Sequence, residues 1–245
     1  MEQFKLVVDK NEIGDGDGSW NKCRVDKFAA CYFVLFRSAS IKIMLIARLG
    51  SVIISAILIA AALYNATNLN DFMLYYSHWS LVLLMCMFMS ASTTSLMVDR
   101  LERNNRYHIP SYVVLHRVLY NVACPANLLS SIVYAIITFT YANTTRTNIN
   151  HVVHSVNSLL VIMEVTLNAI PLRLHHVYQP LLYTLSYAAF SAAYRYYTGR
   201  DIYKCLQWDD QQEMSKMCIG FMVILFVVYI VLYMVSFIKR KCYRL

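Results

Sequence analysis

MCIGFMVILFVVYIVLYMVSFI, the stretch from Met217 to Ile238, carries no charged residue and no proline, and Lys239, Arg240 and Lys241 come directly after it. As an α-helix rising 1.5 Å per residue it is about 33 Å long, enough to cross a hydrocarbon layer of about 30 Å. Five further apolar runs of similar length lie on its N-terminal side, near 43–63, 73–97, 118–141, 152–171 and 177–197. The chain is therefore expected to be an all-α integral membrane protein, a polytopic bundle of about six transmembrane helices. One transmembrane domain, 43–238, would sit between an N-terminal tail, 1–42, and a C-terminal tail, 239–245. The turn between the fourth and fifth spans is expected to be tight, around Pro171, Arg173 and Pro180.

Composition supports the same class. Of 245 residues, 58% are hydrophobic and 15% charged, against about 25% charged in a soluble domain. The net charge of +8 does not mark a nucleic-acid binder, because the basic residues sit in short segments between apolar runs, as membrane topology requires. No nucleic-acid partner is expected; membrane lipids are, with possible membrane-protein partners inside the bilayer. The first 28 residues are polar and lack the apolar core of a signal peptide. Cys86 and Cys124 fall inside apolar runs and are expected to be buried thiols.

Charge also orients the bundle. Sixteen Lys/Arg residues lie in the N-terminal tail (Lys5, Lys10, Lys22, Arg24, Lys27, Arg37, Lys42), the second loop (Arg100, Arg103, Arg106, Arg117), at Arg173 and in the C-terminus (Lys239, Arg240, Lys241, Arg244). The other three loops hold Arg146, Arg195, Arg200, Lys204 and Lys216. The first group belongs in the cytosol, so both termini are expected there, in the plasma membrane or the endoplasmic reticulum. The sequons at Asn65 and Asn143 (Asn65-Ala-Thr67, Asn143-Thr-Thr145) fall in loops that charge places outside, where glycosylation is possible.

Polar residues in an apolar span are costly, so their spacing is informative. In the fourth span Asn150, His154, Asn157, Glu164 and Asn168 recur on one helical face, with His151 beside them. That face must meet other helices or a cavity. Glu164 lies about 15 Å along the helix from His154, where a carboxyl is either protonated or paired. Arg48, near the cytosolic end of the first span, is expected to snorkel. Tyr120, Cys124, Asn127, Ser131, Tyr134 and Thr138 make a second polar face, and Tyr183, Tyr187, Phe190, Tyr194 and Tyr197 an aromatic one. Ser77 and His78 open the second span at the level where His151 and His154 open the fourth, so a hydroxyl and an imidazole are expected at one depth. His151-Val-Val-His154 has metal-ligand spacing but no evident third ligand, and no metal or other cofactor is expected. The sequence has no soluble-enzyme motif such as G-x-S-x-G, H-E-x-x-H or a P-loop.

Residues 150–208 resemble the rolling stone proteins of insects. The likeness is carried by Asn150-His-Val-Val-His154-Ser-Val-Asn157, by Ile170-Pro171-Leu-Arg173-Leu-His175-His176-Val-Tyr178-Gln-Pro180, by Tyr187-Ala-Ala-Phe190, and by Ile202-Tyr203 with Leu206 and Trp208. Cys31-Tyr-Phe and Ser77-His78-Trp79 fit its N-terminal half more loosely. The resemblance implies a multi-pass membrane protein with a part in myoblast or other cell–cell fusion. It also implies kinship with the androgen-induced-gene family, membrane hydrolases of fatty acid esters of hydroxy fatty acids that use a threonine and a histidine. Carried over by motif, the histidine is His154 and the threonine position is Ser77, where serine replaces threonine. His151, Asn157, Glu164 and Asn168 would then be a supporting polar stripe.

Overall fold

The computed structural model describes residues 28–31, 33, 37–66, 69–100, 111–140, 148–203, 208 and 210–242. Most of the N-terminal tail, Thr67, the Asn143 sequon and the arginines at 103, 106 and 146 lie outside the described residues. The long helices are α1 Arg37–Asn65, α2 Tyr76–Arg100, α3 Ser111–Thr140, α4 Asn148–Leu167, α5 Tyr178–Thr198 and α6 Gln211–Cys242. One turn of helix, Leu69–Phe72, precedes α2, and a 3-10 turn, Leu174–Val177, precedes α5. Among the described residues there is one isolated β-bridge, Cys31 to Asn168, and no strand.

Four helices, α1, α2, α3 and α6, are long and apolar enough to cross a membrane. α4 and α5, at 20 and 21 residues, have the length, but their Asn, His, Glu, Gln and Tyr residues keep them below that apolar mark. α3 is the hub: it packs against α2, α4, α5 and α6, while α1 lies on α2 and α4. The main core gathers Leu84, Phe88, Tyr120, Leu160, Val161 and Tyr229 from α2, α3, α4 and α6. Ile46, Ile53 and Ile57 on α1, and Val223, Val227 and Val231 on α6, are exposed. Unsheltered aliphatic rows of this kind suit acyl chains, not water.

Local sequence sets several helix ends. The Asp210 carboxylate accepts from the N–H groups of Gln212 and Glu213 at 3.0 and 3.1 Å, capping α6. Gly199, with φ 70°, stops α5 in the left-handed region while its N–H donates to Arg195 O at 2.9 Å. α4 stops at Leu167, four residues before Pro171, because the pyrrolidine ring would clash with that carbonyl.

The connection after α4 is not the tight turn expected from the sequence. Asn168 to Leu172 run non-helical and are largely buried, Ile170 and Leu172 almost completely. Inside a membrane protein such backbone needs partners from the protein itself. α6 supplies them: Ser236 Oγ accepts from Leu172 N at 3.2 Å, Tyr229 donates to Arg173 O at 2.9 Å, and Lys239 Nζ donates to Asn168 O at 2.8 Å. Lys239 also donates to Val165 O, placing a cation on the carbonyl end of α4, where the helix dipole favours it.

Arg48 corrects a second expectation. It does not snorkel; it is 0% exposed. Its Nη2 and Nε donate to Glu164 Oε1 at 2.7 and 3.2 Å, and its Nη1 donates to Ser95 Oγ at 2.7 Å, Phe28 O at 2.8 Å and Ala91 O at 3.2 Å. Glu164, in the last turn of α4, is the paired carboxylate that its position demanded. The same knot draws in residues 28–31, which are buried in the bundle instead of extending as tail: Ser40 Oγ donates to Cys31 O at 2.7 Å and Ser95 Oγ to Ala29 O at 3.3 Å.

Breaking a buried ion pair from one side strands a charge, at a cost of about 3–5 kcal/mol. Glu164→Gln or Arg48→Met is expected to lower stability by that amount, read from unfolding of the purified chain in detergent. The double variant Arg48→Met/Glu164→Leu is expected to lose much less than the sum. Additive losses would mean that the two groups do not act as a pair.

Candidate functional site

Four helices and one connection enclose, with α6, a cavity of about 150 Å³. α2 contributes Tyr76 and Ser77, α3 Ser130 and Tyr134, α4 His154, α5 Thr184 and Tyr187, α6 Cys218 and Phe221, and the α5–α6 connection Tyr203. α2, α4 and α6 reach the cavity from near their N-termini, through Tyr76 and Ser77, His154, and Cys218, while α3 and α5 contribute from further along their lengths. Its wall is mostly aliphatic and aromatic, with hydroxyls and one imidazole set into it.

The polar groups are held in place. Tyr76 OH and Thr184 Oγ1 share a hydrogen bond at 3.1 Å, and Tyr187 donates to Leu74 O at 2.6 Å. The Tyr203 hydroxyl accepts from Tyr76 N at 2.9 Å, which satisfies a donor at the start of α2. His154 stacks on Tyr134 with ring centroids 4.1 Å apart and planes 13° apart, while His151 meets the same phenol edge-on at 5.4 Å. His154 Nδ1 is buried and has no hydrogen-bond partner among the described residues. Stacking on Tyr134, not a carboxylate at Nδ1, therefore positions this imidazole.

Beneath the cavity an amide ladder joins three helices. Asn127 Nδ2 donates to Ser80 O of α2 at 2.7 Å and to Ala123 O at 2.8 Å, and Asn127 Oδ1 accepts from Asn157 Nδ2 of α4 at 2.9 Å. The ladder fixes α2 and α4 against α3, and with them the relative positions of Ser77 and His154.

The residues singled out from the sequence divide into three groups. Ser77 and His154 line one cavity. Asn157 and Glu164 are buried in helix-bridging contacts. Tyr134 and Tyr187 join the first group, and Asn127, Arg48 and Ser131, whose Oγ donates to His154 O at 3.1 Å, join the second. The third group lies elsewhere. Asn168 lies past the end of α4, where its Oδ1 accepts from Ile170 N at 3.3 Å. His151 is half-buried against Tyr134, while Asn150 and Asn65 are exposed, Asn65 Nδ2 donating to Ala61 O at 2.7 Å. His78 is engaged with the preceding turn, its Nδ1 2.6 Å from Phe72 O and its ring stacked on Phe72. Cys124 is buried as expected; Cys86 faces outward. Tyr197, placed by spacing on the aromatic face of α5, is exposed. Thr184, Tyr203 and Cys218 were not anticipated. Thr184 shares a helical face with Pro180, Tyr187 and Ser191, the buried face of α5, and the spacing 184–187–191 was the signal that could have found it. Tyr203 reaches the site from a connection whose path no periodicity encodes.

Comparison with protein-family profiles, with curated proteins and with solved structures finds no match.

Asn127→Leu removes the acceptor of the Asn157 amide and is expected to cost about 1–2 kcal/mol. Tyr197→Ala, at an exposed position, is expected to change stability by less than about 0.5 kcal/mol. Unfolding in mixed micelles separates the two; equal effects would remove the ladder from any structural role.

The fold and composition together make this chain a multi-pass, mostly helical integral membrane protein whose outer faces meet lipid.

Proposed function

We propose that this chain is a six-span membrane protein of the rolling stone type, with both termini in the cytosol, acting as an intramembrane hydrolase of lipid esters through Ser77 and His154. One observation carries the chemistry. The two residues that the resemblance implies come from different helices yet line the same cavity, whose apolar walls suit an acyl chain.

The chemistry proceeds in two halves. His154 takes the Ser77 hydroxyl proton as the serine oxygen attacks the ester carbonyl. The tetrahedral oxyanion collapses, the bond to the alkoxide breaks, and His154 returns the proton to the leaving alcohol. Water, with His154 again as base, then attacks the acyl-serine and releases the fatty acid. The paired hydroxyls of Tyr76 and Thr184, and Ser130, line the same walls and are the donors suited to the oxyanion. Six crossings result if α4 and α5 span like their neighbours. Their polar residues turn inward at Asn157, Glu164, Thr184 and Tyr187, which leaves Leu159, Ile162, Leu182 and Leu185 on the outer face.

A part in cell–cell fusion is the second reading, and it rests on the resemblance alone. The connections 66–75 and 199–210 are short, so a partner would meet the protein mainly inside the membrane.

A fluorophosphonate probe tests the chemistry. It is expected to label the wild-type chain and not Ser77→Ala at equal expression, while His154→Ala lowers the labelling rate by about 10²–10⁴-fold. Undiminished labelling of Ser77→Ala sinks the assignment of the nucleophile. Orientation is tested separately by tags inserted after residues 65 and 143, which are expected to be accessible from the same, non-cytosolic side. Tags on opposite sides would refute the six-span arrangement.

A further inference from the structure

A second cavity, of about 190 Å³, lies at the opposite end of the bundle between residue Phe28, the first turns of α3 and the start of α5. Phe28, Val113, Val114 and Val118 form its apolar wall; Arg117, His176 and Gln179 form its polar one. Arg117 Nη2 lies 2.7 Å from His176 Nε2, and the Gln179 amide lies 3.3 Å from His176 Nδ1 and accepts from Asn121 Nδ2 at 3.0 Å. Arg173 is exposed beside His176: it precedes the 3-10 turn that carries that residue, and its carbonyl accepts from His176 N at 3.0 Å. His176 sits between segments and is held neutral: burial first, then the Arg117 charge, and then those of His175 and Arg173 push it down to about 4. Donors and positive charge are thus concentrated at one rim, while Val114, Leu115 and Val118 continue from it as an exposed apolar strip along α3.

We propose that this rim is a binding site for the phosphate of an anionic phospholipid, with Arg117, Arg173 and Gln179 holding the headgroup and the Val114–Val118 strip of α3 carrying its acyl chain. Charge complementarity selects the occupant: a phosphate oxygen between two guanidinium groups replaces their mutual repulsion with two charge-assisted hydrogen bonds. The continuity of the charged rim with the lipid-facing strip favours a lipid over a free ion, since the strip has no role for the latter. The leaflet is assigned by charge as well. This is the end that the positive-inside pattern assigns to the cytosol, where anionic lipids are enriched and basic pockets between helices take such headgroups. The site depends on that orientation and not on the hydrolase chemistry.

The test uses the full chain purified in a neutral detergent, with bound lipid counted by native mass spectrometry in mixed micelles of dioleoyl phosphatidylglycerol and dioleoyl phosphatidylcholine. Wild type is expected to retain phosphatidylglycerol preferentially. Arg173→Gln is expected to reduce that preference by about fivefold and Arg117→Gln/Arg173→Gln by about thirtyfold. Arg173 is exposed, so its substitution keeps the proposal testable even where the double variant does not fold. Equal retention of the two lipids by wild type, or an unchanged preference in Arg173→Gln, overturns the proposal. So does displacement of phosphatidylglycerol by millimolar inorganic phosphate, which would identify a free-anion site.

Discussion

In a bilayer the guanidinium of Arg48 has no water to solvate it, and everything around it is arranged to supply what water would. Glu164 supplies the counter-charge, Ser95 a hydroxyl, and Phe28 and Ala91 their carbonyls. These partners come from α2, α4 and the segment before α1, so a single buried charge on α1 ties four parts of the chain together. The desolvation cost of such a pair is high, and the gain lies in specificity. A helix shifted by one turn or rotated by one face would strand the charge, so the register of α1, α2 and α4 is pinned in a way that interchangeable aliphatic contacts could not achieve.

The same demand for internal partners explains the departure from regular helix at Asn168 to Leu172. Pro171 ends α4, and the backbone beyond it has donors and acceptors that lipid cannot satisfy. Ser236, Tyr229 and Lys239 on α6 meet them. The α6 helix, whose sequence looks like plain hydrocarbon filler, therefore carries on one face the three polar side chains that make the α4–α5 connection possible. Its other face is bare and meets lipid.

Both candidate sites sit where helix ends converge, and they differ in chemistry accordingly. At one end hydroxyls, phenols and one stacked imidazole line an apolar chamber suited to a neutral lipid ester. At the other, two arginines and a neutral imidazole border an apolar strip suited to a charged headgroup. The Asn127 ladder holds α3, which lines both, and the Arg48 knot holds Phe28, which lines the second.

The solvent, the helices and part of their inward faces were legible in the amino-acid order, because apolar length and 3.6-residue periodicity are local properties; where a face stops, as at the exposed Tyr197 and Asn150, was not. Glu164, Asn157 and Asn127 were legible too as groups needing partners, since a polar side chain in an apolar span must be satisfied. The identity of those partners was not. Arg48 read as a snorkelling residue because its distance from the helix end is visible in the sequence, whereas a carboxylate 116 positions away is not. Tyr203 joined the cavity, and residues 28–31 joined the core, for the same reason: pairing across a bundle is set by how helices cross and connect, and no single helix's periodicity records that.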